Sequence, residues 1–143
     1  MTEATDDPLQ GLNRLVGEWV TEATHPMRPG LVVHGRATIE WLQGEKFLVV
    51  RATTDQPEFP DSISVLGYTE GLHMHYFDDR GVYRVLDVSM IGEAWEMSRD
   101  APGFSQRFSG TFEDGGSTIV GRWQLSRDDQ TWADDLQITY RRV

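Results

Sequence analysis

The chain has no cysteine. Thiol catalysis, zinc–thiolate sites and a disulfide framework are therefore excluded, and the composition suits a reducing compartment. Basic residues are scarce as well: 13 Lys and Arg stand against 23 Asp and Glu, for a formal net charge of −10. Nucleic-acid phosphates demand a basic surface, so no nucleic-acid partner is expected, and the scattered acidic clusters favour solubility. No apolar run approaches the length of a membrane-spanning helix. The opening 1-MTEATDDPLQG-11 carries acids where a signal peptide needs a basic region and an apolar stretch. The expectation is a cytoplasmic protein with no membrane partner. Also missing are a Gly-rich phosphate loop, a Ser-His-Asp arrangement, a repeat at solenoid spacing and any linker that would split the chain. At 143 residues, 1–143 reads as one domain, long enough to remove roughly two-thirds of its unfolded surface from water.

What is present is alternation. Only 7-DPLQGLNRLVG-17 reads as a helix, with Asp6 or Asp7 as cap, Pro8 in the first turn, and Leu9, Leu12, Leu15 and Val16 at helical spacing. Ten strands follow, near 17–25, 32–42, 46–54, 62–69, 72–78, 82–90, 95–99, 104–112, 118–126 and 132–142. Turn signals such as 44-GE-45, 79-DRG-81, 92-GE-93 and 114-DGGS-117 separate them. Sequential strands joined by short turns make an antiparallel meander, and ten of them close on themselves to avoid two long edges. The fold class is all-β: a closed up-and-down barrel of about ten strands, one end plugged by the short helix.

Turn lengths carry the alternation from strand to strand. A three-residue loop at 79–81 sets Tyr76 opposite Arg84 and Met74 opposite Leu86. The Gly92-Glu93 turn sets Met90 opposite Trp95 and Val88 opposite Met97. A four-residue loop at 100–103 sets Arg99 opposite Phe104 and Trp95 opposite Phe108. Even-length loops at 114–117 and 128–131 then carry Ile119, Trp123, Leu125, Trp132, Leu136, Ile138 and Tyr140 onto the same inward face. Around the Gly44-Glu45 turn, Trp41 and Leu48 also face in. On this parity His73 and His75 face outward, so their His-x-His spacing, which suggests a metal site, lacks a shielded third ligand. His73 pairs with Asp87, and no metal is expected.

The informative residues are the polar ones on the inward face: Tyr76, Arg84, Arg99, Gln106, Asp134 and Tyr140. A buried guanidinium needs a counter-charge, water or a ligand. Strand direction gathers Tyr76, Arg84, Arg99 and Asp134 at one end, with the long loops and five of the six prolines, and Gln106 one layer deeper. Below them lie Trp95, Phe108 and Trp123, with Trp41 also inward. This composition suits a small apolar or aromatic molecule bearing an acidic or carbonyl group near the mouth. Arg84 and Arg99 would hold the charge, Tyr76 and Gln106 orient it, and the aromatic residues contact the body. Three alternatives remain. The arginines could close the core by pairing with Asp134. A cofactor-free cyclase or isomerase could use Tyr76, its pKa lowered by Arg84, as proton donor and Asp134 as base. A filled barrel could act as a scaffold through its outer face. A homodimer is left open.

In 15-LVGEWVTEA-23, Gly17 and Trp19 resemble the opening of lipocalin-like, or calycin, barrels, where a short helix precedes Gly-x-Trp at strand one. The resemblance implies that an arginine of Tyr140-Arg141-Arg142 covers the tryptophan at the closed end. The segments 40-EWLQGEKFLV-49 and 106-QRFSGTFEDGGSTIVGRW-123 are similar to uncharacterised bacterial proteins of this class. Nitrobindins, the haem-carrying ten-stranded relatives, rely on a histidine late in the chain, and none follows His75 here. They also carry a longer glycine-rich opening. No cofactor is therefore expected, and haem would require His25 or His34.

Overall fold

Apolar–polar alternation from Gly17 onward resolves into ten antiparallel strands, each paired with its sequence neighbour, in a computed structural model that describes residues 9–143. The strands are β1 (Gly17–Thr24), β2 (Val33–Trp41), β3 (Phe47–Thr54), β4 (Ser62–Tyr68) and β5 (Leu72–Asp78), then β6 (Tyr83–Ile91), β7 (Ala94–Arg99), β8 (Ser105–Glu113), β9 (Thr118–Ser126) and β10 (Ala133–Arg142). Pairing of β1 with β10, from Trp19↔Arg142 to Thr24↔Gln137, closes the barrel. No helix among the described residues is long and apolar enough to cross a membrane.

The expected helix is shorter and tighter than its spacing suggested. It is a 3-10 helix, Gln10–Leu15, with no side-chain cap; Asp6, Asp7 and Pro8 lie outside the described residues. Two tight turns suffice to bury Leu12 and Leu15 completely before the chain enters β1 at Gly17. The helix plugs the end formed by the short turns, since Arg14 donates to the Gly92 carbonyl and pairs with Glu93 (2.9 Å). Trp41 Nε1 donates to Asn13 Oδ1 (2.8 Å). Trp19 is fully buried and its indole N–H reaches the Leu15 carbonyl (2.9 Å). The Arg142 guanidinium lies 4.1 Å from the Trp19 ring centroid and donates to the carbonyls of Val16, Arg14 and Gly116. That is the tryptophan–arginine closure implied by the resemblance. Gly17, at φ 141°, passes so close beneath Arg142 Nη1 that a Cβ would sit 2.5 Å from it.

Two registers differ from expectation. Arg99 pairs with Gln106 and Met97 with Phe108, so Trp95 faces Gly110 rather than Phe108. The β7–β8 loop is two residues longer than its Pro-Gly signal implied, because Ser105 Oγ holds Ala101 and Asp129, and Phe104 N–H closes a turn onto the Ala101 carbonyl. A shift of two preserves side-chain parity, and the inward face survives. In β10 the shift is one. A bulge between Asp134 and Gln137 puts Asp134 opposite Gln124, whereas Ile138 and Tyr140 keep the expected partners Gly121 and Ile119. A bulge inserts an unpaired residue and reverses facing on one side of it. Trp132 and Asp134 therefore stand outside: Arg107 stacks 4.0 Å from the Trp132 ring, and Asp134 accepts from Gln124 Nε2 (3.1 Å).

The glycines Gly110 and Gly121, paired across β8 and β9, make room for the buried ring of Phe108. A Cβ on Gly121 would meet that ring at 2.5 Å, and one on Gly110 at 2.9 Å. Gly121→Ala should therefore destabilise the fold by about 1–3 kcal/mol through overpacking, read as a lower urea midpoint. An unchanged midpoint would mean that Phe108 has somewhere to go.

Candidate functional site

The long loops and the inward polar residues share the end of the barrel opposite the plug. Tyr76 and Arg84 face each other across β5 and β6, and Arg99 and Gln106 across β7 and β8, as antiparallel register places side chains on one face. Arg84 Nη1 donates to Gln106 Oε1 (3.3 Å), and its guanidinium lies 4.9 Å from the Phe104 ring centroid. Arg99 Nη1 donates to the Phe104 carbonyl (2.8 Å). No carboxylate among the described residues forms an ion pair with either arginine; the acids that do pair with arginine hold Arg14, Arg28, Arg51, Arg80 and Arg141. Burial first, then the neighbouring charges of Arg99 and Arg80, lower the pKa of Arg84 from its ordinary value.

The wall opens beside these arginines. Ladder pairing between β6 and β7 begins only at Asp87↔Ser98. Toward the open end the pairing stops, leaving a groove of about 390 Å³ open to the outer face, lined by the outward residues Tyr83, Val85, Asp87 and Ser98 as well as by Arg84, Arg99, Asp100 and Ala101. That size falls within the range of small-molecule sites. Deeper in the barrel, Trp95 and Phe108 pack edge to face at 4.8 Å, and Phe108 and Trp123 lie 5.0 Å apart. The inward side chains Val50, Ala52, Tyr76, Trp123, Ile138 and Tyr140 are only half-buried. Leu72, Val88 and Met90, nearer the plug, are likewise only half-buried, so accessible inward surface extends along the barrel.

The other sequence-derived candidates divide. Gln106 is buried beside Arg84. Trp41 sits at the plugged end, held by Asn13, far from the arginines along its strand. Asp134 is outside, so the core-closing pair with an arginine does not form. Tyr76 also differs from expectation. Burial, then its hydrogen bond to Asp78, push its hydroxyl pKa up to about 12 instead of lowering it. It donates to Asp78 Oδ2 (2.8 Å). The proton donor and the base proposed for a cyclase are thus respectively tied up and misplaced.

Two further acids occupy the inward side: Asp78, which alternation puts on the face of Tyr76, and Asp135. Asp78 has no accessible side-chain surface and pairs with Arg80 (2.6 Å). Burial alone would raise its pKa. Hydrogen bonds from the Arg80 side chain, the Tyr76 hydroxyl and the Arg80 and Val82 backbone outweigh it, holding the carboxyl well below the ordinary range. Asp135, turned by the bulge, is 2.7 Å from His25 Nε2. Since His25 Nδ1 accepts the Met27 N–H (3.0 Å), the proton sits on Nε2 and goes to Asp135. His25 continues the Trp19, Thr21, Ala23 face, which is the signal that could have found it.

The outward histidines lie where parity put them. His73 Nε2 is 3.0 Å from Asp87, and His75 stacks on Tyr83. Beside them Ile63, Phe77 and Tyr83 form an exposed cross-strand row. The histidines that haem would require also fail the fit. Both ring nitrogens of His25 are engaged, and His34 Nδ1 lies on the outer face, 3.8 Å from Glu22.

No family model matches the chain, and no curated protein matches it. Among solved structures it is similar to the crystal structure of Rv2717c from M. tuberculosis, at 18% sequence identity and a TM-score of 0.69, over 95% of this chain and 97% of that one. At that identity the likeness is one of fold: a closed antiparallel barrel.

The shifted groups set the pH limits. Asp78 is depressed in the folded state, so its stabilisation is complete above the ordinary 3.8 and drains away as pH falls below it. Tyr76 and Tyr140 are raised from 10.0 to about 12, so stability falls as pH rises through that interval. Asp78→Asn should flatten the acid limb of a stability–pH profile, and Tyr140→Phe the alkaline one. Parallel profiles in both variants would refute the assignment.

Proposed function

We propose that the protein is a calycin-like carrier that holds a small, largely apolar molecule with an anionic or carbonyl group in its barrel lumen, in the cytoplasm. What supports this reading is the pair Arg84 and Arg99: two half-buried guanidiniums side by side at the open end, with no carboxylate partner among the described residues. Like charges brought together in a partly dry site repel, and removing them from water is costly. An anionic or strongly polarised oxygen would offset both, and guanidinium geometry suits a carboxylate. The half-buried Trp123 and Ile138 then face the apolar body. The calycin resemblance agrees with the Trp19–Arg142 closure and with the fold of the barrel.

The test uses 8-anilinonaphthalene-1-sulfonate, an aromatic body with one fixed anion. Arg84→Ala should weaken its binding about tenfold, in line with one lost charge-assisted hydrogen bond, while the urea midpoint barely moves. Equal loss of both would instead assign the arginine a purely structural role. Native mass spectrometry of protein purified without denaturation checks the same reading by revealing a co-purified small molecule.

A further inference from the structure

The floor of the lumen carries a second feature that the mouth does not explain. Trp95 is 4% exposed, and its indole Nε1 is the one buried side-chain donor among the described residues without a hydrogen-bond partner. Other inward indoles show that the fold can satisfy this group: Trp19 donates to Leu15 and Trp41 to Asn13. Tyr140 lies against Trp95, ring centroids 6.0 Å apart, and burial alone accounts for its raised pKa, with no hydrogen bond contributing. Its hydroxyl makes no hydrogen bond among the described residues and, unlike Trp95 Nε1, is not sealed off from water-sized molecules.

We infer that the ligand has two polar ends: an anionic head at Arg84 and Arg99, and an uncharged acceptor oxygen, of a carbonyl, ether or hydroxyl, seated between Trp95 Nε1 and the Tyr140 hydroxyl. The inference rests on the luminal reading above and narrows the ligand class. An indole cannot accept, so the ligand atom facing Trp95 Nε1 must itself be an acceptor, whereas the Tyr140 hydroxyl can donate to it or accept from it. Trp95 and Arg99 are four residues apart on β7, about 13 Å along the strand. The half-buried inward side chains of Trp123 and Ile138 supply apolar surface along the interval. The matching ligand is a medium-chain acid oxygenated at its far end.

Monomethyl decanedioate and undecanoate share the carboxylate and the approximate length and differ in the distal ester, so calorimetric titration of the pair isolates the floor. The wild-type protein should prefer the ester, and the ester-to-alkanoate affinity ratio should fall about tenfold in Trp95→Phe and partially in Tyr140→Phe. Undecanoate affinity should fall less than ester affinity in both, with circular dichroism confirming the fold. A wild-type ratio near one, or a ratio that persists in the double variant, overturns the acceptor site while leaving the arginine-held anion standing. Failure of both acids and of anilinonaphthalene sulfonate to bind would overturn the luminal reading itself.

Discussion

Everything inside this protein depends on the pairing of its first and last strands. Once β1 lies against β10, no strand has a free edge, and each inward side chain must face another inward side chain or a shared lumen. Arg142 reinforces the closure. It belongs to β10, yet it donates to carbonyls of the segment leading into β1 and covers the Trp19 ring. The plug helix, the tryptophan and the arginine thus form one packed unit at one end, and the opposite end is left to long loops.

Closure alone would permit a filled core. The local departure that prevents the mouth from neutralising itself is the β10 bulge between Asp134 and Gln137. Without it, Asp134 would face inward near the arginines. With it, Asp134 goes to Gln124 outside, while Asp135 is turned toward His25. Asp78, the remaining enclosed acid nearby, is held by Arg80 and Tyr76. Asp78, Asp134 and Asp135 are thus engaged elsewhere, Asp100 beside the groove forms no ion pair with either arginine, and Arg84 and Arg99 have only an amide and a carbonyl.

The strand count, the turn positions and the inward face were legible because alternation has a period of two and short turns transmit it. The misplaced loop before β8 did no harm, since its error of two residues returns every side chain to the same face. The bulge did harm, because a slip of one exchanges the faces and because 133-ADDLQ-137 contains no glycine to announce it. Trp132 and Asp134 were lost for that reason. The hydroxyl of Tyr76 was misjudged on other grounds: its cross-strand neighbour Arg84 is visible in the register, but Asp78, two residues along its own strand, controls it. Alternation ranks faces. It does not rank the partners available on one face.

The distribution of unsatisfied groups is what favours the proposed binding lumen over an imperfectly filled core. Imperfect packing would scatter orphan polar atoms without regard to position, and it would spare none of the tryptophans in particular. Here the polar groups nearest the plug are paired, as Trp19, Trp41 and Arg142 show. So are those on the barrel rim, His25, Tyr76 and Asp78. The Trp95 N–H is enclosed without a partner, the Tyr140 hydroxyl beside it makes no hydrogen bond among the described residues, and the two arginines at the other end have acceptors but no counter-charge. All four are donors, and the residues between them are apolar. A buried donor left alone costs stability that a single carbonyl or water could restore; in the proposed luminal reading a guest supplies that acceptor to Trp95 and the missing counter-charge to the arginines.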